Sequence, residues 1–374
     1  MSDYLVPLKR PEPNAEEFIA TIRGEVIPRR VPMVEYIVDD ALMQPIVTEM
    51  MGREWVTPAK GDATERSRPL SSSHARRWDN FIEFWYRMGY PYVRLETSLP
   101  FPSRRIPVPD TAEGVNKNRH WMDQHEGMIK DWESFEKYPW PTVDEFDFRP
   151  FEYIAAHLPD GLGFIANHGG GPLEHLTSLF SYEGLSLALY DDPALVKAVA
   201  DRVGGLTEGF YKRLLEIDNL TAIFPGDDMG FRTGTLISPD HMREYVLPWH
   251  RRYAEMAHEK GLPYFLHSCG NVESIMEDLI EEVGIDAKHS FEDAIMPVSE
   301  AYEKYSKRIG ILGGVDIDVL TRSSEEDLRA YVRGILGKCA PGGRFAFGSG
   351  NSIPSYIPVR NYLAMLDEGL RYRV

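Results

Sequence analysis

The stretch PYFLHSCGN, residues 263–271, runs from an apolar segment into a histidine, a cysteine and a glycine, and its reading decides the fold. Side chains two apart in a strand share a face, so His267 and Cys269 project together, in register with Phe265 one step deeper. Gly270 lets the backbone turn at once, and Asn271 is suited to cap a helix that follows. A short apolar strand that ends in polar side chains and feeds a helix is one β-α unit.

Seven other runs have the same character. They are RVPMVEYIV (30–38), YPYVRLETS (90–98), LGFIANH (162–168), LTAIFPGDD (220–228), GIDAKHSFE (284–292), RIGILGGVD (308–316) and RFAFGSG (344–350). Between them lie amphipathic segments with recognisable ends. Ser238 and Pro239 open a helix that Gly261 closes and Pro248 should divide; Asp192 and Pro193 open another; Ser323 and Glu326 stand at capping-box spacing. Eight strands alternating with helices predict an α/β fold, a (β/α)8 TIM barrel formed by residues 1–374 as a single domain. The intervals from about 40 to 90 and from about 100 to 160 exceed what one helix needs. Residues 40–160 are therefore expected to form irregular, aromatic-rich insertions, or a lid, at the barrel mouth. Six of the seven tryptophans (Trp55, Trp78, Trp85, Trp121, Trp132 and Trp140) fall in this N-terminal part, as a local aromatic core or as a cleft for an aromatic ligand.

Composition narrows the function classes. The 374 residues carry a formal charge of −17, and no lysine- or arginine-rich run is present to neutralise phosphates, so neither nucleic acid nor an anionic membrane is an expected partner. Two cysteines, Cys269 and Cys339, are too few for a disulfide framework, and the N-terminus lacks the order of a signal peptide, which points to a cytoplasmic protein. No apolar stretch approaches membrane-spanning length.

Chemistry is expected where the strands end, because those ends converge on one cavity. They offer Glu35, Glu96, His168, Asp227, Asp228, His267, Cys269, Glu292, Asp316, Ser349 and Asn351. A histidine nitrogen beside a cysteine sulfur is half of a zinc site. The same pair also reads as a buried cysteine beside a hydrogen-bonded histidine with no metal. Cys339 recurs at helical spacing with Leu328, Val332, Ile335 and Leu336, so it reads as packing and not as a ligand. Further metal ligands must then be oxygen or nitrogen donors, with Asp228 and Glu292 the first candidates. HGGGP (168–172) lacks the nucleophile-elbow serine that an esterase would need, and the remaining histidines, His289 among them, have no ligand spacing.

Several segments together resemble a known superfamily: PRRVPMVEY (28–36), EGMIKDWESFEKYPWP (126–141), YEGLSLALYDDPALV (182–196), the long run from GDDMGFRTG to HSCGNV (226–272), GILGGVDIDVL (310–320) and IPVRNYLAM (357–365). They are similar to the uroporphyrinogen decarboxylase superfamily, which implies a TIM barrel. The decarboxylase branch carries an R-Q-A-G-R segment near its N-terminus, and TIRGEVIPRRVP (21–32) does not match it. The other branch comprises corrinoid (cobalamin)-dependent methyltransferases that hold zinc with a His-x-Cys pair on the fifth strand, matching His267 and Cys269. The resemblance thus implies a zinc-dependent methyltransferase of O-demethylase type. It would move a methyl group from a small methylated donor to a corrinoid on a partner protein, with Asp228, His267 and Glu292 as catalytic residues; homodimers also occur in the superfamily. The coenzyme M enzymes place another cysteine after the last strand, where this chain reads GSGNSIP (348–354). A metal-free decarboxylase and a non-catalytic ligand-binding barrel are the alternatives.

Overall fold

The computed structural model describes residues 4–57, 70–109 and 118–374. Its strands in chain order are β1 (Tyr92–Ser98), β2 (Arg105–Pro109), β3 (Asn118–Met122), β4 (Gly163–Gly169), β5 (Leu220–Ile223), β6 (Gly230–Phe231), β7 (Gly234–Thr235), β8 (Phe265–His267), β9 (Ala287–His289), β10 (Gly310–Leu312) and β11 (Phe345–Ala346). β1, β4 and β5 pair in parallel, as do β8, β9, β10 and β11. The parallel bridge of Ile223 to Tyr264 joins the two sets at one seam, and that of Met33 to Phe347 brings the segment 33–38 alongside β11 at the other. That segment is tied to β1 by side chains: Tyr92 Oη donates to the Glu35 carbonyl at 2.8 Å and Arg94 Nη1 to that of Tyr36 at 2.9 Å. The eight expected strands are thus in place as an α/β (β/α)8 barrel. β2 with β3, and β6 with β7, are hairpins outside the ring.

β4 is buried almost throughout and β1 over its first four residues, as parallel barrel strands must be when helices cover one side and side chains fill the other. The helix Pro193–Leu214 shows how the outer layer is made. Asp192 accepts the Leu195 N–H at its start, and Leu195, Val199, Val203, Thr207, Phe210 and Leu214 return to the buried side every three or four residues. Pro248 has no N–H to give, and the chain there divides into a π-helical turn, Met242–Val246, and the helix Leu247–Glu259. One expected cap moves. Ser324, not Ser323, caps the helix Glu325–Cys339 by accepting the Asp327 N–H, because Ser323 still ends the preceding helix.

The helix Ala15–Ile22 plugs the bottom of the barrel, where Phe18 packs against Tyr92 and Phe265, with ring centroids 5.3 and 6.0 Å away. The strand ends opposite this plug form the mouth. The interval expected to be irregular holds regular elements, including the helices Asp40–Pro45, Ser72–Arg87 and Arg149–Ala156. Parts of it, residues 58–69 and 110–117, lie outside the described residues. Trp85 is fully buried against Tyr90, Tyr92 and Phe84, and Trp140 packs with Phe101, Phe135 and Tyr138, so these tryptophans build local cores. No helix among the described residues is long and apolar enough to cross a membrane.

Candidate metal centre

β8 delivers His267 and Cys269 to the mouth as the alternation requires. Cys269 Sγ stands 3.4 Å from His267 Nε2. Asp228, two residues beyond the bridge of Gly226 to His267, brings a carboxylate oxygen to 3.6 Å from the same nitrogen, and it also accepts the Cys269 N–H at 3.0 Å. The three ligand atoms all lie within 4.8 Å of one another, the one such cluster among the described residues. Zinc bound tetrahedrally by sulfur, nitrogen and oxygen at ordinary bond lengths requires ligand atoms separated by about 3.4–3.6 Å. The donor set suits a zinc ion, and the two distances from His267 Nε2 match that spacing.

Local backbone makes this possible. Gly270 has φ +76°, and a Cβ on it would fall 2.3 Å from the Gly230 backbone, so the turn after Cys269 rests directly on the hairpin after Asp228. Only glycine on both sides allows that approach. Asn271 then accepts the Glu273 N–H at 3.0 Å, as its capping role predicts.

Neighbouring groups tune the trio. Asn351 Nδ2 donates to Cys269 Sγ at 3.2 Å, and the hydroxyl of Ser290 points to the same sulfur from 3.6 Å. The Asn351 amide oxygen accepts the Ser352 N–H at 2.7 Å, so Asn351 supports the sulfur as a hydrogen-bond donor. Burial, reinforced by the charge of Asp228, pushes the Cys269 thiol up to about 12. Burial also drives His267 well below its ordinary range, so its imidazole is neutral. Tyr36 stacks on the His267 ring at 4.1 Å between centroids and 9° between planes, and the Arg94 guanidinium covers the other face of Tyr36 at 3.5 Å. That three-layer stack fixes the plane of the imidazole. Asp228, with its side chain 45% exposed, opens the trio towards solvent.

The other strand-end residues do different work. Asp227 turns away from Asp228 and caps the helix Pro172–Phe180 by accepting the N–H groups of Leu173 and Glu174, each at 3.0 Å, while His250 joins it at 2.9 Å. A Cβ on Gly171 would lie 2.1 Å from the Cβ of Asp227, so the glycines of HGGGP admit this aspartate. Asp316 caps the helix Ile317–Arg322. His168 is buried among Phe210, Tyr211 and Tyr253. Glu96 accepts from Arg94 at 2.7 Å and from Tyr36 Oη at 3.1 Å. Glu292 accepts the Gly270 N–H at 3.4 Å and stands beside the trio, not within it. Glu35 is wholly buried and hydrogen-bonded to the Ser349 hydroxyl, and burial pushes its carboxyl up to about 8. Cys339 is buried in its helix.

Nothing in the sequence pattern singles out His289. β8 and β9 pair with His267 opposite His289, and the two Nδ1 atoms meet at 2.8 Å. The available signal was the strand reading itself, which put a histidine on each of two successive strands; their register was not in the sequence.

Comparison with known proteins adds the following. The family model described as uroporphyrinogen decarboxylase (URO-D) matches residues 147–372. A methylated-thiol–coenzyme M methyltransferase of Methanosarcina mazei is 29% identical over 133 residues, which is 35% of this chain and 33% of that protein. The matched region thus spans about a third of that relative's length. A solved methyltransferase structure from Methanosarcina mazei superposes with a TM-score of 0.65 over 96% of this chain and 98% of that one, at 16% identity, and shares its fold.

Proposed function

Because this chain belongs to the uroporphyrinogen decarboxylase family, we propose that it is a zinc-dependent methyltransferase serving a corrinoid carried on a partner protein. The observation that carries this reading is the set of three unlike ligand atoms, from Asp228, His267 and Cys269, all within 4.8 Å of one another at the mouth, which would together hold a zinc ion. Three protein ligands with an open position are the pattern of catalytic zinc, whereas structural zinc is closed by four. When bound, zinc supplies a Lewis acid for a leaving oxygen and the corrinoid supplies a cobalt nucleophile for a methyl carbon.

The chain's own residues then bind and orient. The Arg94, Tyr36 and His267 stack and the Cys269 N–H bond to Asp228 hold two ligands in place without a metal, so little reorganisation is left for binding. Asn351 and Ser290 direct hydrogen bonds at the sulfur and stabilise its ionised form. One sulfur, one nitrogen and one oxygen make a harder site than two sulfurs, which favours a methoxylated donor over a methylated thiol. The relative's name supports methyl transfer as the reaction class. Charges of both signs surround the trio, with Asp228, Glu96, Glu174 and Glu292 facing Arg94 and Lys288; burial first, then Asp228, Asp227 and Glu96, raise the Glu174 carboxyl.

The test has two parts. Purified protein should bind one zinc ion, lost in Asp228→Ala, His267→Ala and Cys269→Ala, and should methylate added cob(I)alamin from methoxylated aromatic donors, read from the change in corrinoid absorbance. A folded wild type that takes up no zinc from a buffered zinc solution sinks the metal reading. A zinc protein inert on every methyl donor leaves a ligand-binding barrel.

A further inference from the structure

Zinc needs a bare nitrogen on His267, and the ring has two. Nε2 is the one that faces Cys269 Sγ and Asp228, at 3.4 and 3.6 Å. A neutral imidazole carries its proton on one nitrogen or the other, and whatever the second nitrogen is hydrogen-bonded to makes the choice. Here that partner is another imidazole, which has the same ambiguity.

The ambiguity ends at a backbone carbonyl. His289 Nε2 lies 3.1 Å from the Ser349 carbonyl oxygen, which can only accept, so this nitrogen carries the proton. His289 is wholly buried, where a charged imidazolium is disfavoured, and the ring is neutral. Its Nδ1 is therefore bare and accepts across the 2.8 Å contact, which puts the proton of His267 on Nδ1. We propose that His289 is a positioning residue that locks the tautomer of His267 and leaves Nε2 bare towards Cys269 and Asp228.

The far end of this relay is built to stay still. The Ser349 carbonyl also accepts the Gly314 N–H at 3.1 Å, and its hydroxyl is tied to the buried Glu35. Gly313 has φ +83°, and a Cβ there would lie 2.0 Å from the Ser349 oxygen and 2.8 Å from His289 Nε2. Any other residue at 313 would push the carbonyl and the imidazole apart. A polar chain that runs from a carboxyl through a serine and a second histidine, buried at every link, thus ends at Nδ1 of His267, across the ring from the nitrogen that faces Cys269 and Asp228. It gives Glu35, Ser349, Gly313 and His289 one common purpose. Outer groups of this type orient a ligating histidine and raise its affinity for metal.

The proposal rests on reading the trio as a metal site, but its first test needs no metal. In metal-free protein labelled with 15N-histidine, two-bond 15N–1H spectra should show His267 with protonated Nδ1 and bare Nε2, and His289 the reverse, with the signals assigned through their loss in His267→Ala and His289→Ala. His289→Leu should release the lock and weaken zinc binding by about 10- to 100-fold. His289→Gln, whose amide offers one acceptor and one donor, should restore most of the affinity. A proton on His267 Nε2 in the wild type overturns the proposal, as does a folded Leu variant that binds zinc as tightly as the wild type. If the Leu variant fails to fold, the wild-type spectra and the Gln variant decide. If the wild type binds no zinc, the metal reading falls while the spectra still decide on the tautomer.

Discussion

A buried thiol held near 12 must lose its proton before its sulfur can grip a cation, and this should make the metal affinity of the site a steep function of pH. Each ion bound should displace one proton from Cys269. Affinity should then rise tenfold, about 1.4 kcal/mol, for each pH unit. Between pH 6 and pH 9 this accumulates to roughly a thousandfold, or about 4 kcal/mol. An ordinary thiol, which ionises near 8.5, would make the plot flatten above that pH. The thiol found here keeps it straight. His267 adds nothing to the slope, since burial already holds its ring neutral.

Competition with a chromophoric chelator, corrected for the chelator's own protonation, gives the slope, and calorimetry in two buffers counts the protons. Cys269→Ser should lose affinity and flatten the line. A wild-type slope near zero would mean that the sulfur is no ligand, a slope near two that His267 is charged before it binds, and a bend at pH 8.5 that the thiol is more exposed than its surroundings imply. The metal-free fold keeps this proton after the unfolded chain has lost it. Its stability therefore falls as pH rises from about 8.5 towards 12, and the measurement belongs below pH 9.5.

Asn351→Cys should place a second sulfur beside Cys269, given the 3.2 Å contact of the amide nitrogen, and so close the open coordination position. Zinc should bind more tightly while activity on methoxylated donors drops relative to methylated thiols, and the cobalt(II)-substituted variant should gain sulfur-to-metal charge-transfer absorbance; unchanged spectra would count against the placement of residue 351. Glu35→Gln keeps the shape of the buried carboxyl and removes its ionisation. The folded wild type holds this proton up to about pH 8 while the unfolded chain loses it near 4.3, so the wild type should lose up to about 4 kcal/mol more than the variant between pH 5 and pH 8, read from urea midpoints. Identical pH dependence in the two proteins would show that Glu35 is not held neutral.

Local pattern carried far because barrel strands are short, apolar and separated by capped helices. Asp192, Ser238 and Asn271 cap the helix and turn starts that their positions imply, and His267 with Cys269 share a face because strand geometry leaves them no other arrangement. Asp228 joined them because it ends the neighbouring strand at the same height. Consecutive residues at a strand end point in opposite directions, so Asp227 left that group to cap a helix. Glu292 was a candidate ligand by type and position, yet its carboxylate is committed to the turn at Gly270.

The sequence by itself therefore determined the barrel, the face that His267 and Cys269 share, and the mouth to which they belong, since all of these follow from periodicity and chain order. Only the tertiary structure decided that Asn351 addresses the sulfur, that Tyr36 and Arg94 clamp one imidazole, and that His289 stands beside it. Those contacts join residues on different strands, and their distances depend on register and twist around the closed ring, which no single segment of the chain contains.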